Sequence, residues 1–176
     1  MNFQEIKLAI ETYFTGEAAE AYIVIGGYIF IVLCAGLLWF KFSDRFSITL
    51  SITTLVLSLF MSSGFGYLLI RDSVNRQNLV QLVESQDTEE VSQTLQKEKD
   101  RMQTVADGYL NLRRMFAVSA LVGAILIIFT HNSVSHAIAV GMMFFAMSGA
   151  IIDHYSEERA SIYLEKLNSQ LQISEK

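Results

Sequence analysis

The sequence predicts an all-α integral membrane protein with four transmembrane helices in two hairpins, whose helices extend into a cytoplasmic helical hairpin. Three observations predict it. Four apolar segments, roughly 21–42, 46–70, 115–130 and 134–152, contain no charged side chain except Lys41 at the edge of the first. They fall in two close pairs, joined by Ser43, Asp44 and Arg45 in one and by His131, Asn132 and Ser133 in the other. The chain of 176 residues has no proline, where average usage gives about nine. Proline breaks or kinks a helix interior, so its absence permits long continuous helices. A composition of 52% hydrophobic and 18% charged residues is too apolar for a soluble domain of this length.

Residues 1–20 form the first expected element, an N-terminal amphipathic helix. Phe3, Ile6, Ile10 and Tyr13 share one face before Gly16. The polar residues around it include Glu5, Glu11, Glu17 and Glu20. That acidity opposes binding to anionic lipid and favours docking on protein. Residues 21–70 make the first transmembrane hairpin. A span needs about 20 apolar residues to cross a hydrocarbon layer of ~30 Å, and these two segments have 22 and 25. The first is expected to remain in the mature chain as a signal anchor, because it follows an acidic stretch and shows no small-residue cleavage site.

Residues 71–112 are the expected cytoplasmic helical hairpin, reversing at Gln86–Glu90. Asp87 reads as an N-cap, and Glu90 three residues later completes a capping box. Val91, Leu95, Met102, Val105, Tyr109, Leu112 and Phe116 then recur at coiled-coil spacing, with Glu98 filling the one gap. A single helix from Thr88 to Thr130 would be roughly 65 Å long at 1.5 Å per residue. Residues 113–154 form the second transmembrane hairpin. Its segments of 16 and 19 residues are shorter, so Arg113 and Arg114 are expected to snorkel to the interface. Residues 155–176 are a C-terminal cytoplasmic helix, striped by Ala160, Leu164, Leu167 and Leu171.

Charge sets the orientation. Lys7, Arg71, Arg76, Lys97, Lys99, Arg101, Arg113, Arg114, Arg159, Lys166 and Lys176 lie on one side of the spans, and only Lys41 and Arg45 on the other. Eleven against two puts both termini in the cytoplasm. The expected location is the cell inner (plasma) membrane. The net charge of −5 leaves no basic surface for nucleic acid. Cys34 is a lone cysteine, so no disulfide framework exists.

The spans hold no deep charge, which argues against a proton pump or voltage sensor. Their polar feature is a hydroxyl stripe: Ser47, Ser51, Thr54, Ser58 and Ser62 share one helical face. Two readings apply, close helix packing and the lining of a pore. Facing surfaces are offered by Gly26, Gly27, Ala35 and Gly36 or by Ala137, Gly141, Ser148 and Gly149. A second cluster, Asp153, His154, Glu157 and Glu158 with Arg71 and Arg76, lies at the inner ends of the spans. It reads as interfacial salt bridges or as a ligand site. On the outer side, His131 and His136 read as solvated loop residues or as a pair that could sense external pH or bind metal.

No phosphate loop, nucleophile elbow or zinc-protease helix occurs, so no catalytic residue, metal or cofactor is expected. Three function classes follow. The first is a homo-oligomeric membrane assembly whose cytoplasmic helices dock a partner or signal and control a channel-like passage. The second is a non-conducting scaffold or immunity-type binder. The third is a small-solute carrier or membrane enzyme. The partners expected are the lipid bilayer, further copies of the chain and a cytosolic protein.

Overall fold

The computed structural model describes residues 2–174; Lys176, one of the cations counted above, and the last two residues of the 155–176 segment lie outside them. Four helices account for almost all of it: α1 (Phe3–Lys41), α2 (Arg45–Ser85), α3 (Thr88–Phe129) and α4 (Ser133–Ser174). Among the described residues there is no strand. Each helix contains a stretch long and apolar enough to cross a membrane.

The helix ends follow from local chemistry. Asp44 caps α2, its carboxylate accepting from the Ser47 N–H at 3.1 Å and the Ser47 hydroxyl at 2.6 Å. Those bonds hold the Asp44 carboxyl below the usual range. Asp87 caps α3 by accepting from the Glu89 and Glu90 N–H groups at 3.0 and 3.2 Å. Asn132 caps α4 by accepting from the Ser135 N–H at 2.8 Å. Among the described residues only Gln86 has a positive φ, 56°, which reverses the chain between α2 and α3 in the manner of a helix C-terminus.

The expected N-terminal helix of residues 1–20 is continuous with the first apolar segment, and α1 runs through Gly16 without a break. Glycine inside a helix costs roughly 0.5–1 kcal/mol. What it offers here is clearance, since a Cβ at Gly16 would lie 2.9 Å from Cδ of Arg159 on α4.

The chain divides into two compact units, and every helix supplies residues to both. The described part of unit 1 comprises residues 2–20, 68–111 and 154–174. Its core is made of large side chains from all four helices. Ile6, Ile10 and Phe14 of α1 meet Leu79 and Val83 of α2, Val91, Leu95 and Met102 of α3, and Tyr163 and Leu167 of α4. The seam read from the sequence supplies the α3 part, with Glu98 buried among its apolar members. Each such side chain contributes about 1.5–3 kcal/mol when removed from water.

Unit 2 comprises residues 21–67 and 112–153. Its buried cluster is small: Val24, Tyr28, Met61, Phe116, Phe145 and Ala146. Close backbone approach does more of the work. A Cβ at Gly141 would lie 2.7 Å from Cγ2 of Thr53, and one at Gly123 would lie 2.8 Å from Cγ of Met143 and 3.1 Å from the Ala139 carbonyl oxygen. At Gly149 the added atom would run into the ring of Phe116, which packs edge-on against Phe145 at 5.6 Å.

That contact sets an expected outcome. Gly149→Ala should destabilise the protein by about 1–3 kcal/mol, as overpacking does, measured by thermal unfolding in detergent. Gly26→Ala, where a Cβ meets nothing within 4 Å, should leave the midpoint almost unchanged. Equal midpoints for the two variants would show that Phe116 swings aside.

Candidate functional site

The hydroxyl stripe of α2 turns inward within unit 2 only in part. Ser51 and Ser58 are buried, Ser47, Thr54 and Ser62 half-buried. The Ser51 hydroxyl donates to the Ala35 carbonyl on α1 at 2.8 Å. Ser47 serves the cap with Asp44. A crevice beside Tyr28, Thr54, Ser58 and Phe145 encloses only about 10 Å³, close to the least that holds one water. Two further hydroxyl bonds join helices of this unit: Tyr28 with Ser148 at 3.1 Å, and Ser119 donating to the Met142 carbonyl at 3.3 Å. Of the candidate facing residues, Ala35, Ala137, Gly141 and Gly149 are buried and Ser148 is half-buried. Gly26 and Gly27 face open space.

The cluster of Asp153, His154, Glu157 and Glu158 with Arg71 and Arg76 is distributed between the units. Asp153 belongs to unit 2, is buried, and lies 3.7 Å from Nε of Arg113. His154, Glu157, Glu158, Arg71 and Arg76 belong to unit 1. There Arg71 turns to its neighbour Asp72, with Nε and Nη2 each 2.8 Å from Oδ1. His154 and Glu158 are exposed, Arg76 is exposed, and Glu157 is half-buried. Among the described residues, no three His, Cys, Asp or Glu side chains converge as metal ligands. In the turn between α3 and α4, His136 Nε2 lies 2.8 Å from the Thr130 carbonyl oxygen, whereas His131 is exposed.

The densest polar chemistry lies in the interior of unit 1, where sequence reasoning did not assign a site. Glu98 is buried and takes two charge-assisted bonds from Arg101, each 2.7 Å. The Arg101 guanidinium stands 5.9 Å over the ring of Phe14, a cation–π geometry. Tyr13 and Tyr163 stack with centroids 4.5 Å apart and planes 6° from parallel, and Phe14 meets both rings edge-on. Burial, above all, pushes both phenols far above their ordinary range, so both stay neutral. Burial opposes the charge of Arg101, but the bond and charge of Glu98 outweigh it and raise its pKa.

A second group joins α1 to α4 in the same unit. Arg159 donates from Nε to Glu17 at 2.9 Å and from Nη2 to Glu20. The Ser156 hydroxyl donates to Glu20 at 2.7 Å. Burial raises the pKa of Glu17, with Glu20 and Asp72 adding like charge and Arg159 opposing. Burial works against charge on Arg159 too, yet the carboxylates keep its pKa above the ordinary value.

Two signals for these groups were present in the chain. A carboxylate on an apolar seam with arginine three residues later, Glu98 and Arg101, demands a buried pair. A glycine on a helix that shows no other sign of stopping, Gly16, marks a close approach. Comparison with protein-family models, curated proteins and solved structures gives no match to this chain.

The Glu98–Arg101 pair gives a double-mutant test. Arg101→Leu should leave Glu98 buried and uncompensated, at a loss of about 3 kcal/mol, while Glu98→Leu with Arg101→Leu should recover most of it. Chemical denaturation of the two variants measures the difference. Equal losses would mean that Glu98 reaches water when its partner is gone.

Proposed function

We propose that the chain is a multi-pass protein of the cell inner membrane, with unit 2 in the bilayer as a closed, self-associating anchor and unit 1 in the cytoplasm as a docking module for a protein partner. The contrast between the two surfaces carries this reading. Unit 2 exposes large apolar side chains along every helix, among them Phe30 at 66%, Phe129 at 75% and Met147 at 68%. An apolar surface of that extent suits hydrocarbon and not water. Unit 1 exposes charged and amide side chains, including Glu84, Lys97, Asp100 and Gln103, interspersed with apolar ones such as Leu8 and Ile162, around a core of large hydrophobics.

Within the spans, the Ser51 bond to Ala35 and the burial of Ser58 support packing over conduction. A polar side chain in lipid gains most by bonding to a neighbouring helix. Gly26 and Gly27 leave open space on the outer face of α1, which admits the backbone of another copy. The eleven-to-two distribution of Lys and Arg supports cytoplasmic termini. The docking role rests on the four-helix interior of unit 1, too large and too specifically paired for a mere tether between spans.

Topology and conduction are tested together. In a Cys34→Ser background, an impermeant maleimide added to intact cells should label a cysteine at position 43 and not one at position 86. The purified protein in liposomes should pass no more ions than empty vesicles. Labelling at position 86 from outside would reverse the orientation. Ion flux that Ser51→Leu, Thr54→Leu and Ser58→Leu together abolish would replace the closed anchor with a pore.

A further inference from the structure

The negative charge of the chain belongs to unit 1. Its described residues hold fifteen carboxylates against eight Lys and Arg, a surplus of seven, whereas unit 2 holds two against four. A surplus of one sign repels a second copy and an anionic lipid surface, and it attracts a basic partner. In the same unit a groove of about 170 Å³ opens between the start of α1 and the end of α4. Ile6, Ala9 and Leu167 are its buried floor, with exposed Leu8 on one rim and exposed Lys166 and Ser169 on the other. Buried Gln170 fixes its end, donating to the Glu5 carboxylate at 2.8 Å and accepting from the Asn2 N–H at 3.0 Å. The groove is therefore formed before a partner arrives, which lowers the ordering cost of binding.

Helical register extends both rims. Thr12 follows Leu8 by four on α1, and Ile162 precedes Lys166 by four on α4. Leu8 is 61% exposed and Ile162 49%. Carboxylates border both: Glu5 lies three residues before Leu8, and Glu158 and Glu165 lie four before and three after Ile162. All three are exposed, and Lys166 is the one cation among these rim residues. Small-molecule pockets run to about 300–1,000 Å³, so this smaller space suits one or two apolar side chains of a protein.

We propose that the partner of unit 1 is a cationic amphipathic helix, which seats apolar anchors in the groove between α1 and α4 and sets Lys or Arg against Glu5, Glu158 and Glu165. This rests on the reading of unit 1 as a docking module and names its partner's chemistry. A helix laid in a groove presents anchors at i, i+3, i+4 and i+7, the same spacing that builds the two rims. Its basic residues would speed encounter and exclude acidic helices, while the anchors hold it in place.

Fluorescence anisotropy tests it on the full chain in zwitterionic nanodiscs, one copy per disc, with empty discs as background. The probes are two labelled synthetic helices of about five turns, sharing one Leu face and carrying a polar face of either Lys or Glu. The Lys helix should bind roughly tenfold tighter than the Glu helix, and added salt should weaken it. Leu8→Ser with Ile162→Ser should abolish binding, and Glu158→Lys with Glu165→Lys should remove the preference for Lys. Near-ultraviolet ellipticity from the stacked Tyr13 and Tyr163 checks that unit 1 stays folded in both variants. Lys-helix binding that survives the double Ser variant, or equal affinity for the two helices, would overturn the groove and leave the docking reading standing. Failure of both helices to bind above empty discs would overturn both. Discs holding two copies that lose the binding seen with one would assign the groove to a second copy and overturn the cationic partner.

Discussion

Four backbone hydrogen-bond ladders, 39 to 42 residues long and each unbroken, constrain everything else in this chain. With no proline to interrupt them, the polar backbone is satisfied within each helix and only a handful of end groups need caps. What distinguishes one part of the chain from another is therefore the side chains that successive stretches of the same helix present. On α1 the buried set changes from Ile6, Ile10, Tyr13 and Phe14 to Ala21, Val24, Tyr28 and Ala35. On α4 the change runs the other way, from Ala137, Ala139 and Gly141 to Tyr163 and Leu167.

Those two sets correspond to two ways of holding helices together. Unit 1 buries large apolar and aromatic side chains, which is effective only where water is the alternative. It also buries charge, and the Glu98–Arg101 and Glu17–Glu20–Arg159 groups are tolerated because each carboxylate finds a guanidinium. Unit 2 relies on glycine clearances and on hydroxyl bonds to neighbouring carbonyls. That combination is effective where no hydrophobic force draws helices together. The choice between the two mechanisms is made residue by residue along uninterrupted helices.

The helices and their turns were legible because the signals that specify them are local. Asp44, Asp87 and Asn132 each act within three residues of themselves. Spacing put Ser51 and Ser58 on one helical face, but their burial and the Ala35 partner of Ser51 needed the fold. The partners of Arg159 in unit 1 were illegible for the opposite reason. Arg159 finds Glu17 and Glu20 across 142 and 139 positions, and no period in the sequence connects them. Glycine's weak helix propensity is a local property, whereas the reason for Gly16 stands on another helix, at Arg159. The Asp153–Glu158 run was read as one cluster from i, i+4 spacing. Its members take up different surroundings, with Asp153 near Arg113 and His154 exposed.

The distribution of aromatic rings has an optical consequence. The chain contains a single tryptophan, Trp39, and it belongs to unit 2, so indole emission reports on that unit alone. The stacked phenols of Tyr13 and Tyr163 belong to unit 1, where their fixed, chiral arrangement supplies near-ultraviolet ellipticity. Indole emission therefore follows the melting of unit 2 in an unmodified sample, and the ellipticity of the stacked phenols adds a signal from unit 1.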